Sequence, residues 1–317
     1  MPLHSDLHID RPLTNYAVEY KNAALIAPEV APFVPVNNKS DDFVVFTKAD
    51  KFSLPLDLRG PKAEAKEVTW GTSTDSYGCK DRALKDFISD AMAANADVNI
   101  NPMERTVGFL TDLLLLNFEK RVADLAFTYA NYATSGLRVT LAGGDQFSSP
   151  ASSDPIGVVD TAINACFMPV NTLIIGKAVY DVLKRHPQLL DHVKGGATTN
   201  NAAKVNLANM AEIFEVDRIL VGKAKYNTSI KGQTAGYSYL WGDSIVAAYI
   251  DPSVSLDNLS AWKTFRWTQE STGAGYKVRR YRDEKRGGGG NEIEVEMSII
   301  EKAVCADLAY IVYDCLA

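Results

Sequence analysis

A chain of 317 residues has room for about two domains. Its 46% hydrophobic and 23% charged residues are the mixture of an ordinary globular protein, not of a disordered, collagenous or disulfide-built one. A formal net charge of -6 argues against tight, specific DNA binding, which needs a basic face. Cys79, Cys166, Cys305 and Cys315 lie far apart with no C-x-x-C pair, so lone buried thiols and a reducing compartment are expected. The N-terminus MPLHSDLHIDRPL has acidic residues and no apolar core, unlike a secretory signal, and the apolar run 113–116 is far too short to span a bilayer.

The first 37 residues begin polar and end in AALIAPEVAPFVPV. Pro28, Pro32 and Pro35 each fix a torsion and remove a donor, which predicts an extended arm rather than a helix. Such an arm must lie on its own core or on a neighbour's, and the segment alone favours neither. FVVFTK and KEVTW then read as β pieces around a charged excursion, KADKFSLPLDLRGPKAEAKE, carrying Lys48, Lys51, Arg59, Lys62, Glu64 and Lys66. It is longer than most compact loops, so it reads as a solvated hairpin or as an interaction arm.

KDRALKDFISDAMAAN predicts a helix over 80–95. Asn101, Pro102 and Glu104 then form an N-x-x-E helix start, and apolar residues recur at threes and fours from Met103 to Tyr132. That spacing predicts one amphipathic spine of about 33 residues, roughly 50 Å long.

Residues 137–258 read as α/β, with helices in DPIGVVDTAINACF, KAVYDVLKRHPQLLDHVK and NLANMAEIFEV. Strands are expected in NTLIIG and DRILVGKAKY, and again at Ser244–Ile250 after the turn at Gly242 and Asp243. The last stretch, 259–317, is β-rich: TFRW, YKVRRYRD, EIEVEMSII and LAYIVYDCL. Gly287 to Gly290 join two charged strands as a hairpin loop, and alternation of Glu292, Glu294 and Glu296 with Ile293, Val295 and Met297 predicts one wet and one dry face.

Tests for catalysis come out poorly. Gly242-Asp243-Ser244 resembles the nucleophile of Gly-Asp-Ser esterases, which carry that serine near the N-terminus and an Asp-x-x-His pair near the C-terminus. Here no histidine follows Ser244, since His4, His8, His186 and His192 all precede it. His186 and His192 are six apart, not at a helical metal-ligand spacing, and are expected on the surface. No phosphate loop or dinucleotide fingerprint occurs, so no cofactor or metal is expected. The basic residues Arg279, Arg280, Arg282, Lys285 and Arg286 are balanced by Asp283, Glu284, Glu292 and Glu294, which suggests cross-strand or intersubunit pairing rather than nucleic-acid binding.

Several phrases resemble the major capsid protein of tailed double-stranded DNA phages: IAPEVAPFVPV, TDSYGCKDRALKDFISDAMAANAD, DRILVGKAKYNTS, LWGDSIVAAYIDP and TFRW, in that order over nearly the whole chain. The resemblance implies an α+β, Hong Kong phage-type capsid fold, shared with encapsulins. It further implies an N-terminal arm (1–37), an E-loop (38–79), a peripheral domain (80–136 and 259–317) and an axial domain (137–258). The implied function is self-assembly into pentamers and hexamers of an icosahedral head around double-stranded DNA, with a separate scaffolding protein, a portal and a possible decoration protein as partners. DNA would be a non-specific neighbour, membranes would play no part, and the location would be the virion after synthesis in the host cytoplasm. Lys48, Lys51, Lys62 and Lys66 are candidates for E-loop contacts, taken as non-covalent. An encapsulin-type shell and a serine esterase using Ser244 are the alternatives.

Overall fold

The computed structural model describes residues 25–46, 54–55, 57–61, 64–68, 72–95, 101–194, 205–230, 232–253, 258–268, 275–286 and 288–317. The described part of the arm is not wholly extended. It opens with one helical turn, α1 (Ala27–Val30), where Pro28 is tolerated because a first-turn amide has no intrahelical acceptor to lose. Strand β1 (Phe33–Val36) follows, with Val34 and Val36 turned inward and Pro35 exposed, as suits a proline on an edge strand. This stretch therefore lies on its own core.

Strands β2 (Ser40–Phe46) and β3 (Thr72–Gly78) pair antiparallel at the root of the charged excursion. The second strand falls later than KEVTW, and 66–68 have no regular structure. Phe43 and Tyr77 fix the register by packing their rings at 5.3 and 4.7 Å from that of Phe265.

The helix expected over 80–95 is largely a strand. Only α2 (Asp90–Ala94) is helical, capped by the Ser89 hydroxyl, while Lys80–Ser89 forms β4. Every residue of β4 pairs with β13 (Gly290–Ala303), from Ser89 opposite Gly290 to Lys80 opposite Ile299. That ladder, together with burial of Ile88, outweighs the helix preference of Lys, Arg, Ala and Leu in this segment.

The spine is α3 (Pro102–Phe127), 26 residues or about 39 Å, shorter than its periodicity suggests. Asn101 accepts the Met103 amide and donates to Glu104. At Thr128 the backbone leaves the helix, and Tyr129–Tyr132 makes a tighter 3-10 turn. The apolar spacing persists there because Tyr132 still faces the core, its hydroxyl donating to the Ala126 carbonyl at 2.6 Å.

The first sheet is centred on β13. Val295 pairs with both Leu84 and Val278, and Ile299 with both Lys80 and Arg266. Since a strand has two edges, β4 lies along one, and β12 (Lys277–Asp283) and β11 (Trp262–Trp267) lie end to end along the other. Strand β1 adds parallel to β11. Val278, Ile293, Val295, Met297 and Ile299 share a core with Val107, Leu110, Leu114 and Phe118 of the spine.

The second sheet runs β5 (Arg138–Thr140), β14 (Ala309–Tyr313), β10 (Ile245–Ala248), β6 (Thr172–Gly176) and β7 (Arg218–Gly222). Leu173, Ile175, Ile245 and Ala247 meet a layer built from α4 (Pro155–Ala165), α5 (Lys177–Leu183), α6 (Pro187–Lys194) and α7 (Leu207–Ile213). Ile174, Val246, Ala248 and Ile311 point the other way, into the core of the spine. Burial on both faces is why NTLIIG and SIVAAYI read as unbroken apolar runs. The expected helix 177–194 is split by Pro187, which removes a donor. Strands β8 (Lys225–Asn227) and β9 (Tyr237–Tyr239) form a small separate hairpin.

Candidate assembly surfaces

Three distant segments converge on one side chain. Glu119, fully buried on the spine, accepts the Ile26 amide at 3.1 Å, the Ala27 amide at 2.7 Å and the Trp241 indole N–H at 2.6 Å. The two amides begin α1 and have no intrahelical acceptor, so the carboxylate serves as their cap from another element. Burial raises the Glu119 pKa above its ordinary value, against the lowering pull of the three donors. Arm root, spine and second sheet are thereby clasped together. Its spacing from Leu115, Phe118 and Val122 puts Glu119 in the apolar stripe of the spine.

Trp241 is set by its surroundings. Gly176 and Gly222 face each other in the β6–β7 ladder. A Cβ on Gly222 would lie 2.1 Å from Trp241 Cγ, and one on Gly176 would lie 1.9 Å from the Gly242 carbonyl oxygen. The paired glycines form a notch that the Trp241–Gly242 turn fills, and Phe127 meets the Trp241 ring edge-on at 5.2 Å. Ser244 follows at 1% exposure, its carbonyl accepting the Gly176 amide. A serine so enclosed has no route to a substrate.

The histidines divide. His192 is exposed, but His186 is buried rather than on the surface, because the chain turns inward at the α5–α6 break. Its Nε2 lies 3.0 Å from Ser153 Oγ, and burial lowers its pKa. His4 and His8 lie outside the described residues. Among the described residues no cluster of three or more His, Cys, Asp or Glu side chains is arranged to hold a metal ion.

The charged residues of β12 and β13 pair within the chain. Arg279, 3% exposed, lies 3.8 Å from Glu294 and 3.3 Å from Glu296. Tyr281 donates to Glu294. Glu292 receives Lys85 and Arg286, each at 3.0 Å, and is buried at 4% exposure. The face expected to be wet is thus partly closed over by its own cations. Arg282 reaches Asp90 at 2.7 Å across to α2, Arg280 lies 3.5 Å from Met103 Sδ at the spine's start, and Lys285 is exposed. Arg279→Met would strand two carboxylates, and a cost of about 3 kcal/mol is expected. Thermal unfolding would show it as a midpoint about 5 °C lower, and an unchanged midpoint would refute the pairing.

The excursion after β2 presents the opposite character. Leu54 and Leu58 are 99% and 87% exposed, Val68 is 55% exposed, and Arg59, Glu64 and Lys66 are exposed beside them. Lys48, Lys51 and Lys62 lie outside the described residues.

The chain as a whole has relatives among known proteins. No family model matches the chain. The major capsid protein of Burkholderia phage BcepMu is 31% identical over 255 residues, 76% of each chain. The chain belongs to the phage major capsid protein family. A second member, the major capsid protein of Pseudomonas phage JBD67, is 29% identical over 304 residues and 95% of each chain. A phage-related protein from Bordetella bronchiseptica RB50 superposes over 98% of each chain with a TM-score of 0.75 at 21% identity. The capsid of cyanophage P-SCSP1u does so over 99% of this chain and 92% of its own, with a TM-score of 0.56 at 12% identity. The fold is the α+β, Hong Kong phage-type capsid fold, and the role of a major capsid protein is structural.

Proposed function

We propose that this chain is the repeating subunit of an icosahedral phage head, closing as pentamers and hexamers around double-stranded DNA without catalysing a reaction. Residues 1–37 act as the arm, 38–79 as the E-loop, 80–136 with 259–317 as the peripheral domain, and 137–258 as the axial domain. A separate scaffolding protein and a portal complete assembly, decoration proteins bind outside where present, and the subunit passes from host cytoplasm to virion. The observation that carries this reading is the pair Leu54 and Leu58, held in water on a charged excursion. Leucines so exposed gain burial from another molecule, and closed symmetry supplies that gain once per copy. Arg59, Glu64 and Lys66 flank them as polar rim contacts, joined in sequence by Lys48, Lys51 and Lys62. Arg279, Arg280, Arg282, Lys285, Arg286, Glu292 and Glu294 serve intersubunit contact less directly, since most of them already pair within the chain.

Electron microscopy of the chain expressed with the phage's other head proteins tests this. Shells containing DNA are expected, and Leu54→Asp with Leu58→Asp should abolish them while leaving the melting curve of the free subunit unchanged. Shells filled with protein cargo instead of DNA would favour the encapsulin-type reading, and absence of any shell would sink both.

A further inference from the structure

The β8–β9 hairpin and a groove at the opposite end of the second sheet carry opposite charge. From Leu220 to Gly242 the chain has three bases, Lys223, Lys225 and Lys231, and no acid. The hairpin itself, YNTSIKGQTAGYSY, is rich in Tyr, Ser, Thr, Gly and Asn, the composition of surfaces that bind by rigid aromatic anchors and adaptable polar groups. Ile230 and Tyr237 are 76% and 70% exposed at its end. The hairpin is nonetheless held in shape: Thr228 N donates to the Gly236 carbonyl, Gly236 N to Ser229 Oγ, and Ser229 N to Asn227 Oδ1. A pre-formed projection loses little freedom on docking.

The groove, of about 590 Å³, lies between the C-terminal ends of α4 and α7. Ile163, Met168 and Ile213 line it, Asp160 and Glu215 stand in it, and no Lys or Arg among the described residues does. Burial and the neighbouring Glu215 and Asp154 carboxylates push the Asp160 pKa up, against the pull of His192. Glu215 also holds a left-handed backbone, φ 52°, a conformation that favours glycine or asparagine. A carboxylate kept there at a cost in strain suits a role outside the subunit's own stability.

The hairpin follows the C-terminal end of β7, whereas the groove leads into the N-terminal ends of β6 and β7. Five residues of strand, about 17 Å, separate them, and Ile230 and Tyr237 stand exposed, so the hairpin does not fill its own groove. We propose that the Ile230–Tyr237 tip of one subunit seats in the α4–α7 groove of the next copy, with Lys223 and Lys225 facing Asp160 and Glu215. Such a contact joins two different patches, and head-to-tail contacts of this kind close into rings. The inference rests on the shell reading and supplies its ring-forming contact.

Charge reversal tests it in cells that make the wild-type shell. Lys225→Glu and Glu215→Lys, made singly, should each cut shell yield by about tenfold or more, because a small loss at each contact multiplies over all copies. The two together in one chain should recover most of that yield, and Ile230→Asp should fail like the single reversals. Free subunits of all variants should melt like wild type. Wild-type yields from both single reversals would overturn the contact and leave the shell reading standing. Failure of the pair to rescue would assign hairpin and groove to different partners and overturn it as well. A wild type that forms no shell would remove the reading on which the contact rests.

Discussion

Glu119→Ala is expected to destabilise the free subunit by about 4 kcal/mol, a large share of the 5–15 kcal/mol typical of a folded domain. Three donors lose the Glu119 acceptor at once. Each buried orphan costs about 1–3 kcal/mol, less whatever water entering the gap restores. The loss should also be local: proteolysis should open the chain near α1 well before the midpoint, since the clasp is what caps that turn. Thermal melts and limited digestion would check both, and an alanine variant as stable as wild type would remove the clasp from the account.

The same carboxyl carries a pH signature. Its pKa is raised by burial, so the folded state binds the proton more tightly than the unfolded state does. That contribution is fully present below the ordinary value of 4.5 and is lost as pH rises through the raised one. Glu119→Gln lacks the proton, so its stability relative to wild type should improve from acid toward neutral pH. A difference that does not change with pH would contradict the burial-raised pKa.

Gly176→Ala is expected to cost about 3 kcal/mol or more and to give largely insoluble protein, a severe effect for a single methyl group. The new Cβ meets a backbone oxygen, which has no rotamer to escape into, so β6 or the Trp241–Gly242 turn must move. Gly222→Ala strikes the Trp241 side chain instead and should push the indole away from Glu119. Its cost should therefore overlap with that of Glu119→Ala, and the double variant should lose less than the sum of the singles. Strict additivity would mean that notch and clasp are independent. Well-folded, wild-type-like Gly176→Ala protein would mean that the notch is looser than its geometry.

How legible these features were depends on where their causes lie in the chain. NTLIIG, SIVAAYI and EIEVEMSII carry their own signal, because apolar runs and two-residue alternation are local. The charged excursion broken by proline and glycine is equally visible, but the exposure of Leu54 and Leu58 on it shows only in the structure. KDRALKDFIS misled, because its composition suits a helix while its strand partner lies about two hundred residues away. The spine was read too long because Tyr129 and Tyr132 keep the apolar spacing after the backbone has changed to a tighter turn. Arg279 and Glu292 read as charges needing partners, but nothing local tells which carboxylate meets which cation or that both are buried.

The sequence by itself determined most of the kinds of element and the family, since hydrophobic period, turn residues and matching phrases are properties of neighbouring residues. Only the tertiary structure decided that Glu119 clasps the arm to Trp241, that Gly176 and Gly222 make its notch, and that β4 is a strand. Those outcomes come from close approach between segments far apart in the chain, where packing and unpaired donors, not local preference, set the energy.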